Sequence, residues 1–160
     1  MAKWFKLRED VYEWFSNIKV GQTQQVKTLF DLYYLCLMMG LATKSKNNPS
    51  ERCKCRDFID YFVSDYQSQQ NLIIGLLIRA ELENLGISLD EKDATKKQLS
   101  KLINPSSQTN LDDEDGIDKM NAYASGGFDY LREKFGSKPY HLEDFLQRYV
   151  KILREAIDGR

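Results

Sequence analysis

The chain is short of the residue types on which most catalysis depends. It has one histidine, His141, and three cysteines, Cys36, Cys53 and Cys55, in 160 residues. Cys–His or Ser–His–Asp chemistry needs its base beside a nucleophile. Nothing in the sequence brings Cys53 or Cys55 to His141, which is better read as a helix cap. An odd cysteine count without framework spacing fits a reducing, cytoplasmic location rather than a disulfide scaffold. There is no glycine loop with the lysine that cradles phosphate. There is no excess of either charge: 23 basic against 24 acidic residues give a net charge of −1. That balance argues against a nucleic-acid coat or a polybasic membrane protein, while leaving room for a local patch. No apolar run reaches the ~20 residues of a membrane span, and Met1 to Arg8 has no apolar core of the signal-peptide kind. No stretch alternates at period two, so no sheet is expected. We expect no metal, no cofactor and no enzymatic activity.

What is there is helical pattern. Hydrophobic residues make up 42% of the chain, enough for one packed domain over residues 1–160. The run from Leu29 to Leu41 is apolar almost all the way round a helix and must be surrounded, by its own domain or by a partner. Leu7, Val11, Trp14, Phe15 and Ile18 mark one face of a first helix, closed by Gly21. A second helix runs from about Thr23 into Ala42. Phe58, Ile59, Phe62 and Val63 make a third apolar face, and Leu72 to Leu85 resume the pattern after a break near Asp65. Ser88-Leu89-Asp90-Glu91 reads as a capping box opening a helix through about Ile103. Asp115 caps a helix through about Phe135. The last helix begins at Tyr140 or His141, with Leu142, Phe145, Tyr149, Ile152 and Ala156 on one stripe and an Asp144–Arg148 pair on the other face. The fold class is all-α, a compact bundle of about six helices. The second helix and the Leu72–Leu85 segment form its centre, with polar loops near 44–54 and 104–114.

Four segments invite a functional reading. Cys53-Lys54-Cys55 spaces its thiols one residue apart, closer than structural zinc uses, and two further ligands are missing. In Asp112-Asp113-Glu114-Asp115-Gly116, placing Gly116 at the sixth position of a calcium loop puts Leu111 and Ala122 where ligands are required, so the EF-hand is rejected. The acidic run then reads as a solvated loop favouring a helix N-terminus. A metal-dependent enzyme using Asp112, Asp113, Asp115 and Asp118 is the third functional reading. Lys44, Lys46, Arg52, Lys54 and Arg56 stand against Glu51 alone, a basic loop that could meet DNA phosphates. It lacks interleaved aromatics for stacking on single strands. In Ala122-Tyr123-Ala124-Ser125-Gly126-Gly127-Phe128, two glycines inside a helix cost about 1 kcal/mol each relative to alanine. Close approach of a neighbouring helix would compensate, and that neighbour is either the chain itself or a partner.

The segments Phe30–Leu41 and Met120–Leu131 together resemble small helical accessory proteins of bacterial phage-defence loci, those associated with DNA phosphorothioation (Dnd) systems among them. The first matches as an early apolar helix ending in Gly-hydrophobe, the second as a Tyr-Ala-x-Gly-Gly segment. The resemblance implies a non-catalytic accessory or adaptor subunit of an anti-phage complex, bound to a larger ATPase or nuclease, and it transfers no catalytic residues. Tyr123, Gly126, Gly127 and Phe128 are the expected partner-binding residues. The alternative is a small DNA-binding regulator using Lys44, Lys46, Arg52, Lys54 and Arg56.

Overall fold

The computed structural model describes residues 3–18 and 26–159. Gly21 and Thr23, the expected boundary between the first two helices, lie outside the described residues. Among those described, the chain is mostly helical, with eight helices and one two-stranded sheet. The expectation of a purely helical bundle of about six is therefore corrected.

Strand β1 (Phe5–Arg8) pairs antiparallel with β2 (Cys55–Ile59), Leu7 opposite Arg56 and Arg8 opposite Cys55. Leu7 thus belongs to a strand, and the first helix is the short α1 (Glu9–Trp14). Phe58 and Ile59 lie on β2 and not on a helix. The ring of Phe5 holds this corner together, with its centroid 5.6 Å from Phe30 and 5.4 Å from Phe62.

Helix α2 (Leu29–Thr43) opens on a capping box, in which the Asp31 carboxylate accepts from the Thr28 backbone N–H at 2.9 Å. The short α3 (Pro49–Arg52) and α4 (Ser64–Gln67) flank β2 in sequence. Helix α5 (Gln70–Leu85) ends at Gly86, whose φ of 70° only glycine adopts at no cost. Helix α6 (Lys92–Leu102) starts later than the Ser88 box suggests. Glu91 does accept from the Ser88 N–H at 2.7 Å, but it closes a turn ahead of the helix. Helix α7 (Asp115–Phe135) is capped from outside: Asp112 Oδ2 accepts from the N–H groups of Glu114 and Asp115. Helix α8 (Leu142–Asp158) follows, with His141 at its N-cap position but no side-chain hydrogen bond there. Arg148 turns away from Asp144, stacks 4.6 Å over the Phe135 ring and donates to the Lys134 carbonyl.

The centre of the fold is α2 against α7, with α5 and α8 at the flanks of α2. This differs from the expected pairing of α2 with the Leu72–Leu85 segment, and the reason is glycine. A Cβ on Gly127 would overlap the Cys36 carbonyl oxygen, and one on Gly40 would overlap that of Tyr123. The two backbones touch directly, a glycine on each helix facing the backbone of the other. Around them pack Trp14, Phe15, Phe128, Phe135 and Phe145, largely edge to face.

Gly75 is the exception among the helical glycines. Nothing stands within 4 Å of the position its Cβ would take, so the helix carries the glycine penalty without a close neighbour. Gly75→Ala should therefore raise stability by about 1 kcal/mol. A thermal melt followed by circular dichroism checks this, and an unchanged or lower midpoint would contradict it.

Candidate functional site

The small-residue face of α7 is occupied by the chain itself. Tyr123 and Phe128 have no exposed surface, and Gly126 and Gly127 are buried. A Cβ on Gly126 would strike the backbone of Ser45 and Lys46. The two possible neighbours of this face are thereby resolved: α2 and the segment after it cover these four residues, which offer nothing to a partner in this fold.

The basic loop is seated on acidic residues. Lys44 pairs with Glu83 at 3.2 Å, Lys46 with Glu81 at 2.6 Å, Arg52 with Asp129 at 3.2 Å and Arg56 with Glu9 at 3.4 Å. Lys54 is exposed and makes no ion pair with a described residue. Four of the five cations thus face a carboxylate drawn from outside the loop; Asp129 is shared with Arg8 and Arg132, Glu83 with Arg79 and Glu81 with Lys119. Glu81 is the most buried of these acids. It accepts from Lys46 and from the Tyr123 hydroxyl at 2.7 Å, with Lys119 at 3.9 Å. Burial pushes its pKa up, but these donors and cations prevail and hold it below the usual glutamate value.

Sequence reasoning missed the best-built polar cluster. Arg8 is buried, and its guanidinium lies 5.0 Å above the Phe128 ring. It pairs with Asp10 and, at 2.9 Å, with Asp129, and it donates to Ser125 Oγ at 3.1 Å. Asn47 donates to Asp129 at 2.9 Å and accepts from Ser125. Arg132 reaches both Asp10 and Asp129 at 3.1 Å. Three arginines on two carboxylates make a clamp that ties β1 and the 44–52 segment to α7. Every buried polar side-chain atom among the described residues is partnered, and the clamp holds no free nucleophile or base. Its members come from three separate stretches, residues 8–10, 47–52 and 125–132, with no local signal that could have joined them.

The remaining candidates are placed as follows. Cys53 and Cys55 are free and half-buried, and the Cys55 thiol donates to the Cys53 carbonyl at 3.4 Å. Burial raises the Cys55 pKa, which leaves it a weaker nucleophile than an ordinary thiol. Asp118 pairs with Lys3 at 2.7 Å, and among the described residues no three potential ligands gather to hold a metal ion. A cleft of 570 Å³ lies between Lys46, Asn48, Asp118 and Lys119, mixed in charge. The loop after α6 is anchored: Leu111 is fully buried and Ser107 donates to its carbonyl at 2.6 Å.

One surface stands apart. Helix α8 buries Phe145, Tyr149 and Ile152, but it carries a second apolar stripe of Leu146, Val150, Leu153 and Ile157, spaced 4, 3 and 4. Ile157 is 50% exposed and Val150 41%. Across a groove of 220 Å³ floored by Met38 and Ala42 stands α5, with Leu76 and the 65% exposed Leu72. Exposed apolar side chains at helical spacing thus stand on both sides of this groove. Among the described residues no helix is long and apolar enough to cross a membrane. No protein family, curated protein or solved structure matches this chain.

Proposed function

We propose that the protein is a non-catalytic accessory subunit that docks another protein chain on its α5–α8 face. The observation that carries this reading is the second apolar stripe of α8, laid beside Leu72 and Leu76 of α5. A stripe at helical spacing next to a shallow groove suits helix-to-helix docking, in which apolar anchors at i, i+4 and i+7 provide the area. The resemblance of residues 30–41 and 120–131 to small accessory proteins of phage-defence loci points to a larger ATPase or nuclease as the complex it serves. The three free thiols suit the cytoplasm. The DNA-binding alternative loses ground because Lys44, Lys46, Arg52 and Arg56 are each held in an ion pair, with Glu83, Glu81, Asp129 and Glu9.

A tagged pull-down from the native cell, with co-purifying proteins identified by mass spectrometry, tests the reading. We expect an ATPase or nuclease in stoichiometric amount, reduced when Leu72→Glu is used as bait. Recovery of the chain alone, or of DNA alone, would overturn it.

A further inference from the structure

We infer that helix α6 docks on double-stranded DNA, lying along the major groove with its lysines on the phosphates of both walls.

The helix is barely embedded in the fold. Leu102 is its only buried residue, and it lies outside the hydrophobic core. Lys92, Asp93, Lys96, Lys97, Ser100 and Lys101 are exposed. At 3.6 residues per turn these six cover one half of the helix surface. The half that faces solvent is therefore the charged one.

That charge is unpaired. Helix α6 carries four lysines against Asp93 alone, and none of the four makes an ion pair with a described residue. The loop at 44–56 differs, since four of its five cations are held by carboxylates. From Ala94 to Leu111 the chain has lysines at 96, 97 and 101 and no acid. Asp90 and Glu91 stand ahead of the first turn, where a helix favours negative charge. The acidic run 112–115 abuts the other end, where the Leu102 carbonyl accepts from the Asp112 N–H at 2.8 Å, and it forms no ion pair with these lysines.

Spacing selects the occupant. Lys92 and Lys96 form one row along α6, and Lys97 and Lys101 form a second, about 140° away around the axis. Asp93 and Ser100 lie on the midline between them. A flat acidic protein surface would meet one row at a time, whereas the two walls of a groove meet both. A helix with its side chains is about 10–12 Å across, and the major groove of B-DNA is about 12 Å wide. With the rows on opposite phosphate walls, the midline faces base edges, where Ser accepts or donates and Asp accepts from cytosine. The exposed half carries no aromatic ring on which single-stranded bases would stack.

Fluorescence anisotropy of a short labelled DNA duplex, titrated with the purified full chain, tests the inference. We expect binding at about 50 mM salt that weakens with a log–log slope of about −3 to −4, as four phosphate contacts require. Lys96→Ala, Lys97→Ala and Lys101→Ala should each reduce that slope by about 1. Changing all three to Glu should abolish binding with an unchanged melt, since the three are exposed. Lys44→Ala and Arg56→Ala should leave the slope as it is. An RNA duplex of equal length, with its deep and narrow major groove, should bind more weakly. No binding at the lower salt overturns the inference, as does binding that survives the triple variant or an RNA duplex held as tightly. If the duplex never binds and the triple variant loses an acidic protein from the pull-down, the face belongs to that protein instead. The inference does not rest on the α5–α8 face: Leu72→Glu should leave DNA binding unchanged, so either reading can fail alone.

Discussion

Gly127→Ala is expected to lose about 3 kcal/mol or more of folding stability, a large part of the 5–15 kcal/mol typical of a domain. The added methyl would sit inside the van der Waals radius of the Cys36 carbonyl oxygen and press on the Gly40 nitrogen. Both obstacles are backbone, so no side chain can turn aside. The helices must part, and parting them opens the aromatic packing of Phe128 and the burial of Tyr33 and Tyr123 along the same seam. In an unconstrained helix the substitution would gain about 1 kcal/mol, so the sign itself reports the contact. Urea unfolding followed by circular dichroism gives the answer. A midpoint within experimental error of the wild type would mean that α2 and α7 do not touch as described. Gly75→Ala, on the same chain, should move the opposite way.

The second large effect is expected at Arg8. Arg8→Ala leaves Asp10 and Asp129 with Arg132 and Arg52 at the periphery but without the central guanidinium, and should cost about 3–5 kcal/mol. Arg8→Lys should recover little, because an ammonium cannot meet two carboxylates and Ser125 with one planar fork. The effect has a pH signature. Burial raises the Asp129 pKa, but the hydrogen bond and charge of Arg8, with Asn47 and Arg52, outweigh it and hold the carboxyl below the usual aspartate value. A folded-state pKa lower than the unfolded one contributes stability that is complete above the ordinary carboxylate range. That stability is lost as pH falls below about 4 toward the depressed value. The gap between wild type and Arg8→Ala should therefore be widest near neutrality and narrow in acid. A gap independent of pH would show that Arg8 acts through packing on Phe128 alone.

Helices that carry several turns of pattern were legible before the structure. The end of α5 at Gly86, α7 from Asp115 to Phe135 and the buried stripe of α8 all follow from spacing and glycine. So does the demand that α2 be surrounded. The strands were not legible, because β1 is four residues long and its buried Arg8 breaks the alternation that Phe5, Lys6 and Leu7 begin. Phe58, Ile59 and Phe62 fall at spacings a helix would use, and strand pairing with β1 overrides them. In the candidate sites, composition correctly marked the glycines of α7 as needing compensation, yet it could not say which helix provides it. The charge of the 44–56 loop was countable, whereas its pairing with Glu81, Glu83 and Asp129 depends on contacts 35 to 77 residues away. The second stripe of α8 was present in the sequence throughout, but a stripe becomes a surface only when the packing of its neighbour shows which side is filled.

The direct contact of α2 with α7 also sets a schedule for biosynthesis. Cys36 and Gly40 wait for Tyr123 and Gly127, and about eighty residues must leave the ribosome in between. At 5–20 residues per second that interval is roughly 4–16 s, during which the most apolar helix of the chain has no mate. Closing so long a loop adds little equilibrium cost, but it leaves the nascent chain dependent on transient cover, such as a chaperone, until its last quarter emerges.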